Sequence, residues 1–403
     1  MRDRPENMNR VQIINWLLEN DSARLEKLWH DADSVRRTHV GDAVHLRGLI
    51  EFSNHCARQC YYCGLRADNR LIERYRMPAD EILACARQAA SFGYGTVVLQ
   101  SGEDYGITSE WLADVVRHIK TETGLAVTLS VGERSAAELA AWREAGADRY
   151  LLRFETSNAE LFRRIHPSRN GQLSDRIAIL RTLRQLNYEV GSGVMIGIPG
   201  QTYEDLARDL ELFRELDLDM IGVGPFLPHP ETPLGQSFDP LIPGSLDPSP
   251  SGQVPNSELM TYKVLALTRL MCPRANLPST TALATLNRDS GRELGLMRGA
   301  NIIMPNLTPP AYRCKYEIYP AKACLFETAE QCHGCIMRRI TRLGRTIGTG
   351  HGGSPNWLAR RKKDPGSRGS GDQEGTECDS CLDSSIPERR SQESPLEYDD
   401  ATS

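Results

Sequence analysis

From Leu46 onward, short runs of β-branched and other apolar residues alternate with longer stretches whose apolar residues recur at helical spacing. The runs fall at 46–52, 95–100, 125–131, 149–155, 189–197, 219–224, 276–282 and 300–305. Strands and helices in strict alternation are the pattern of βα units around a parallel sheet. Eight such units predict an α/β fold, a (β/α)8 TIM-type barrel, whose chemistry sits on the loops after the strands. An open doubly wound sheet is the alternative. Residues 8–31 carry the spacing of one or two helices ahead of the barrel. Helix starts are legible too: Ser135 with Glu138, and Thr202 with Asp205, have capping-box spacing. Pro78 suits a first helical position. The expected division is N-terminal helices at 1–39, the barrel at 40–310, a cysteine-bearing C-terminal extension at 311–347 and a tail at 348–403.

Two stretches break the rhythm. Residues 235–256 are rich in Pro, Ser and Gly and read as a surface excursion after the sixth strand. Beyond about Gly348 the chain turns to Gly, Ser and charge, a composition that predicts a disordered tail. Within it, the CxxC of Cys378 and Cys381 reads as unpaired tail cysteines rather than a metal site.

With 40% hydrophobic and 25% charged residues, the 403-residue chain has an ordinary soluble globular composition. Its net charge of −5 argues against a broad basic surface for nucleic acid or anionic membrane. No run approaches the eighteen apolar residues of a membrane span. Val11–Leu18 is interrupted by Gln12, Asn15 and Trp16, and reads as an amphipathic helix rather than a signal-peptide core. Eleven cysteines without a secretory signal fit a cytoplasmic protein, or one in a comparably reducing organelle compartment, where thiols bind metal rather than pair.

The chemistry concentrates directly after the first strand, in Cys56-Ala57-Arg58-Gln59-Cys60-Tyr61-Tyr62-Cys63. Three thiolates at this spacing can wrap one corner of an iron–sulfur cube, with the Arg58-Gln59 side expected to face solvent and Tyr61-Tyr62 to shield the sulfurs. A four-iron cube normally takes four thiolates. The run stops at three, which leaves one iron for a small molecule. A structural zinc site would want a fourth ligand at finger-like spacing, and only His55 is near.

This C-x3-C-x2-C run resembles the signature of the radical S-adenosylmethionine (SAM) enzymes. Its flanks, Ile50-Glu51-Phe52-Ser53-Asn54 before it and Gly64-Leu65-Arg66 with Asp68-Asn69 after it, resemble the HydE family of FeFe-hydrogenase maturases. The resemblance recurs from roughly Val40 to Gly344 and excludes the last stretch of about sixty residues. It implies that Cys56, Cys60 and Cys63 hold a 4Fe-4S cluster that binds SAM.

Further site residues come from the strand ends. In Ser101-Gly102-Glu103-Asp104 the small pair lets backbone approach a ligand, and Glu103 can accept from a cationic amine. The resemblance implies that Tyr62, Ser101, Gly102 and Glu103 bind SAM, with Glu103 on its amino group. By the same resemblance Glu155 takes the ribose hydroxyls and Arg176 the methionine carboxylate, a plain helix-surface arginine being the alternative there. Gly132-Glu133 follows the third strand without an assigned role. The glycines of the fifth strand, Gly191 to Gly200, lack the Lys-Ser/Thr of a nucleoside-triphosphate loop and fit a strand lying beside adenine. Arg66 and Arg153 are expected to face substrate anions, or else to form barrel ion pairs. Thr280, Thr281 and Asn306, with Tyr312 and Arg313 beyond, suit small anionic ligands such as cyanide or a carboxylate. The proline-rich loop 225–230 can fix His229 near the mouth, in a structural or a catalytic role.

Cys324, Cys332 and Cys335, with gaps of seven and two and Cys314 ten residues earlier, resemble the accessory cluster of some HydE proteins, 2Fe-2S or 4Fe-4S. A reduced-thiol patch or a zinc site is the alternative. Cys85 and Cys272 fall in helical runs and read as small core residues. The implied activity is reductive cleavage of SAM to a 5′-deoxyadenosyl radical, in assembly of the di-iron subcluster of the hydrogenase H-cluster. The implied partners are an organometallic or amino-acid-derived small substrate, other hydrogenase maturases and an electron donor. Methylornithine synthase and biotin synthase-like enzymes are the rival activities. Biotin synthase would need a cluster inside the barrel, and no cysteine set lies at strand ends five to eight. A non-catalytic iron–sulfur carrier or scaffold would use both cysteine groups but leave Glu103 and Glu155 without a task.

Overall fold

The structure, a computed structural model, describes residues 8–237 and 252–363. The long first strand β1 (Ala43–Ser53) organises the sheet, pairing in parallel with β2 (Thr96–Ser101). The ladder continues, always parallel, through β3 (Ala126–Ser130), β4 (Arg149–Leu151), β5 (Glu189–Ile196) and β6 (Met220–Pro225). On its other side β1 pairs with β7 (Ile302–Ile303) and β8 (Thr346–Ile347).

The ring closes through backbone rather than a full strand. Residues 276–278 bridge Met220 on one side and Ile302 on the other. Asn276 N–H donates to the Asp219 carbonyl at 2.8 Å, and Ile302 N–H donates to Leu277 at 3.1 Å. The strand expected at 276–282 is thus cut short for two reasons. Pro278 has no N–H to continue a ladder, and the Thr280 side chain caps the helix Thr281–Leu286. The fourth strand, expected to run to 155, stops at Leu151 because the backbone turns away and Glu155 takes a left-handed φ of 63°. The last, expected at 300–305, shrinks to two residues.

Helices cover the outside as their spacing predicts. The helix Ala79–Ser91 buries Ile82, Cys85, Ala86 and Ala89, a single inward stripe. Both predicted capping boxes form, and Pro78 sits one position ahead, as N-cap. The N-terminal helices Arg10–Leu18 and Ser22–Val40 pack on the barrel, and the buried Lys263 Nζ donates to Leu17 O at 2.9 Å. Of the excursion at 235–256, residues 238–251 lie outside the described ones; Gln253 and Val254 rejoin the barrel beside Thr202 and Gln201.

The expected disorder from Gly348 onward needs correcting for residues 348–363; residues 364–403, with Cys378 and Cys381, lie outside the described ones. Residues 348–354 cross the N-terminal ends of the strands as a floor. The His351 carbonyl accepts from Thr96 Oγ1 at 2.9 Å and Arg149 Nη2 at 2.8 Å. Gly352 O accepts from Arg47 Nη2 and Asn276 Nδ2, each at 3.0 Å. Ser354 N–H donates to Glu189 Oε1 at 2.9 Å, and the helix Pro355–Lys363 sets Arg360 against Asp217 and Asp219. Composition misled because this segment contributes carbonyls to buried arginines rather than apolar surface to a core.

Its glycines permit the approach: a Cβ on Gly95 would lie 1.6 Å from the Gly350 carbonyl oxygen. Gly95→Ala should therefore lower stability by about 1–3 kcal/mol, the usual cost of overpacking. Thermal unfolding checks this, and limited proteolysis should show earlier cleavage near residue 350 in the variant.

Candidate active site

The end of β1 delivers the cysteine run into a loop pinned from several sides. Ala57 N–H donates to Glu103 O at 2.9 Å, Tyr61 N–H to Ile165 O at 2.9 Å, and Gly64 N–H to Ile318 O at 3.1 Å. Arg74 gathers the carbonyls of Asn54, Leu65, Arg66 and Asn69. Gly64 and Gly102 are required by crowding. A Cβ would fall 2.2 Å from Glu317 O at the first and 2.3 Å from His55 O at the second.

Cys56, Cys60, Cys63 and Tyr62 border a cavity of about 370 Å³ at the C-terminal end of the barrel. Ser101, Gly102, Glu103, Glu155 and Arg176 share its wall. Arg153, Thr280 and Thr281 line it further round. These twelve positions, scattered over 226 residues of sequence from Cys56 to Thr281, are brought to one space by the barrel.

Two expected site residues are not in that wall. Arg66 lies outside that wall with its side chain mostly buried, its Nε without a hydrogen bond and its nearest acid Asp68 at 3.7 Å. Asn306 stands behind the wall, donating from Nδ2 to Glu51 Oε2 at 2.8 Å. It acts on the cavity only through Glu51, which also accepts from Lys322 Nζ at 2.5 Å. His229 packs its ring on Gly64 and accepts from Glu231 N–H, a structural position. Arg313 is fully buried on the carbonyls of Asn306, Thr308, Cys324 and Glu327.

Arg58, expected at the surface, is buried and ties two carboxylates together. Its Nε reaches Glu103 Oε1 at 2.6 Å and its Nη2 reaches Glu133 Oε2 at 2.5 Å. Glu103 also accepts from Tyr105 OH at 2.6 Å and from Glu133 N–H at 3.0 Å. Of its roughly four acceptor positions, about one remains, on Oε2. Glu133 is the hub: Arg176 Nε at 2.9 Å, His166 Nε2 at 3.2 Å and Ser174 Oγ converge on its other oxygen. Burial alone would raise this carboxyl, but the bonds from His166, Arg176 and Ser174 outweigh it and hold Glu133 well below the usual range.

Glu155 is less fully bonded than Glu103 and Glu133. Its backbone is fixed against β5, with its N–H on Gly193 O and its carbonyl accepting Met195 N–H. Its Oε2 is ion-paired with Arg153 Nη2 at 3.2 Å but accepts no hydrogen bond, and Arg153 Nε beside it is likewise buried without one. A buried carboxylate oxygen with no hydrogen-bond donor leaves room for one from a ligand, and the paired hydroxyls of a ribose fit that need. Burial pushes the Cys63 thiol up to about 12, and raises Cys56 and Cys60 as well. Only metal would hold these sulfurs as thiolates at neutral pH. Among the described residues no three His, Cys, Asp or Glu converge closely enough for a single ion.

In the second group, Cys332 is buried in the helix Ala329–Arg342, with Cys324 and Cys335 partly exposed and Cys314 exposed. A hydrogen bond from Cys332 draws Cys324 down to about 6 against the opposing effect of burial. Arg292 Nη2 lies 3.9 Å from the Cys324 sulfur.

The Radical SAM superfamily model matches residues 50–213. Over 334 residues the chain is 46% identical to the FeFe hydrogenase maturase subunit HydE of Thermotoga maritima, covering 83% of this chain and 90% of that protein. The chain belongs to the HydE family of radical SAM enzymes. A 4Fe-4S cluster and SAM are the cofactors of that family, and the three cysteines, the Gly102 cradle and the Glu155 oxygen that lacks a hydrogen bond fit them. A more distant relative is the 3-methylornithine synthase of Methanosarcina acetivorans, 30% identical over 69% of the chain and 74% of that protein. The crystal structure of methylornithine synthase (PylB) superposes with a TM-score of 0.71 at 28% identity, over 85% of this chain and 96% of that one. HydG, another FeFe-hydrogenase maturase, gives 0.70 at 15% identity over 90% of this chain and 78% of its own, a likeness of fold alone.

Sequence reasoning missed Arg58, His166 and the Glu51–Lys322 pair. Glu51 left a trace, as one of two charges, with Arg47, inside an apolar strand; His166 follows a short helix with no motif around it.

Asp209, buried in the helix Tyr203–Glu215, ties the loops after β4 and β5 by accepting Ser157 N–H at 2.5 Å and Gln201 Nε2 at 3.4 Å. Burial pushes its carboxyl up to about 7 from an ordinary 3.8. The folded chain therefore keeps a proton that the unfolded chain releases. That stabilising contribution is complete below pH 3.8 and is lost as pH rises to about 7. Denaturant titrations across this window should show a steeper fall in stability for the wild type than for Asp209→Asn.

Proposed function

We propose that this HydE-family chain cleaves SAM reductively and acts in assembling the di-iron subcluster of the FeFe-hydrogenase H-cluster. The observation that carries the first half is three cysteines and a buried carboxylate, Glu155, with an oxygen that accepts no hydrogen bond, all facing one cavity. The second half is supported by 46% identity spanning 90% of a HydE protein. When bound, the cluster and SAM supply one-electron cleavage of a sulfonium C–S bond, releasing methionine and a 5′-deoxyadenosyl radical.

The protein's share is holding and excluding. Cys56, Cys60 and Cys63 hold the cluster. Ser101 and Gly102 bring backbone close, with Tyr62 over the sulfurs, and the one open acceptor position on Glu103 takes the amino group. Glu155 takes the ribose hydroxyls. Arg176 has spent three of its five N–H groups on Glu133, Arg153 O and His166, which leaves two for the carboxylate of methionine. Deeper in the barrel Arg153 with its free Nε, Thr280, Thr281 and the Glu51–Lys322 pair present donors to a small anionic substrate. Among the described cysteines only the three of the first motif line the cavity, so no second cluster for sulfur donation stands inside it. Cys324, Cys332 and Cys335 hold an accessory cluster not required for SAM cleavage.

Other maturases and an electron donor are the partners, in the cytoplasm or a similarly reducing compartment; no described helix is long and apolar enough to cross a membrane. The methylornithine reading stays open on the strength of the PylB superposition. Anaerobic reconstitution with dithionite and SAM, followed by addition to a maturation mixture lacking HydE, separates the readings. Activated apo-hydrogenase supports the maturase, whereas failure there with turnover of lysine overturns it. A cluster that transfers to other proteins without 5′-deoxyadenosine release would make the chain a carrier. Cys60→Ala should abolish 5′-deoxyadenosine formation while Cys332→Ala keeps most of it; equal loss in both would show that the accessory group is misassigned.

A further inference from the structure

Behind the cysteine loop lies a histidine that the proposed chemistry does not use. His166 ends the helix Ala159–Ile165, its N–H donating to Phe162 O at 2.8 Å and its ring tilted on the Phe162 ring at 4.9 Å. The preceding carbonyl, Ile165 O, accepts the N–H of Tyr61 inside the cysteine motif. Helix end and cluster loop are therefore bonded to each other. His166 Nδ1 comes within 3.0 Å of Cys60 Sγ, and both residues are buried, 3% and 8% exposed. On the far side of the ring, Nε2 meets Arg176 Nη2 at 3.3 Å and Glu133 Oε1 at 3.2 Å.

We propose that His166 is a positioning residue for the radical SAM cluster, donating a hydrogen bond from Nδ1 to the Cys60 thiolate and so raising the cluster's reduction potential. This rests on Cys56, Cys60 and Cys63 being the cluster ligands. The direction of the bond follows from the partners. A thiolate on iron is an acceptor only. The acceptor at Nδ1 therefore requires the proton there, whether Nε2 accepts from Arg176 in the neutral ring or donates to Glu133 in the imidazolium. An N–H pointed at a cluster sulfur stabilises the added electron, one of the levers by which proteins set such potentials. Because Arg176 also reaches toward the proposed SAM carboxylate, one guanidinium joins the SAM site to the ligand sulfur through a single imidazole.

The test is a redox titration of the reconstituted cluster, followed by electron paramagnetic resonance, in wild type, His166→Leu and His166→Gln, each with iron content and thermal unfolding measured. His166→Leu should cut the ratio of reduced to oxidised cluster at a fixed potential about tenfold, equivalent to about 59 mV for one electron. His166→Gln, which keeps an N–H donor, should stay near the wild type. An unchanged potential in a folded, iron-loaded His166→Leu overturns the proposal. Should that variant fail to fold or load, the wild type decides: ring-15N-labelled histidine should show hyperfine coupling to the reduced cluster, and its absence overturns the proposal. A wild type that takes up no cluster overturns the ligand assignment beneath it.

Discussion

The Glu133 carboxylate is the point on which the top of the barrel turns. Two arginines, a histidine and a serine converge on it, and Arg58 carries the connection on to Glu103. Buried charges of this kind are costly unless every partner is present; removing one typically destabilises by about 3–5 kcal/mol. The network is therefore weak evidence for stability and strong evidence for geometry. It fixes, from one oxygen pair, the strand-two loop through Glu103, the cysteine loop through Arg58 and the helix start at Arg176. Three loops from separate strands can hold a common cavity wall only if something rigid ties their tips, and here it is a charge cluster rather than a packed apolar core.

Against that satisfied background the unsatisfied atoms acquire meaning. Glu155 Oε2 and Arg153 Nε are buried and without hydrogen bonds, the carboxylate being held only by its ion pair with Arg153 Nη2 at 3.2 Å, and Glu155 is in a left-handed conformation that a non-glycine residue adopts at a cost. Strain and an acceptor without a hydrogen bond at the same residue, in the wall of the cavity, are the features on which the proposed ligand assignment rests.

The βα rhythm, the cysteine motif and the Ser101-Gly102-Glu103 stretch were legible in the sequence because each is a local pattern: period-two and period-3.6 apolar spacing, ligand spacing, a small-residue pair before an acid; Tyr62, Glu155 and Arg176 were reached through the family resemblance. What escaped was tertiary. Arg58 reads as solvent-facing from its neighbours, and only the fold brings two carboxylates to it. Asn306 and Arg66 follow strand-end logic, yet the wall passes in front of one and away from the other. The floor at 348–354 was read as disorder because composition scores a segment by the apolar surface it can bury, whereas this one is held by its carbonyls.

That last error points to how this barrel is closed. Its ladder is continuous from β1 to β6 but thin beyond, where residues 276–278 and the two-residue β7 must complete the ring. The fully buried arginines gather at the places the ladder does not reach. Arg269 takes the carbonyls of Gly299, Pro273 and Ala275 with Asn301 Oδ1, stitching the approach to 276 onto the approach to β7. Arg313 does the same for the loop leaving β7, and Arg47 and Arg149 bind the floor to the lower rim. Burial pushes Arg47 and Arg269 down to about 9, still charged at neutral pH, so each keeps the full donor set of a guanidinium. A planar cation with five donors can satisfy several strand-end carbonyls that point in different directions, which no apolar side chain can do. Where strands are too short to bond one another, the arginines do it for them, and no periodicity in the sequence records the substitution.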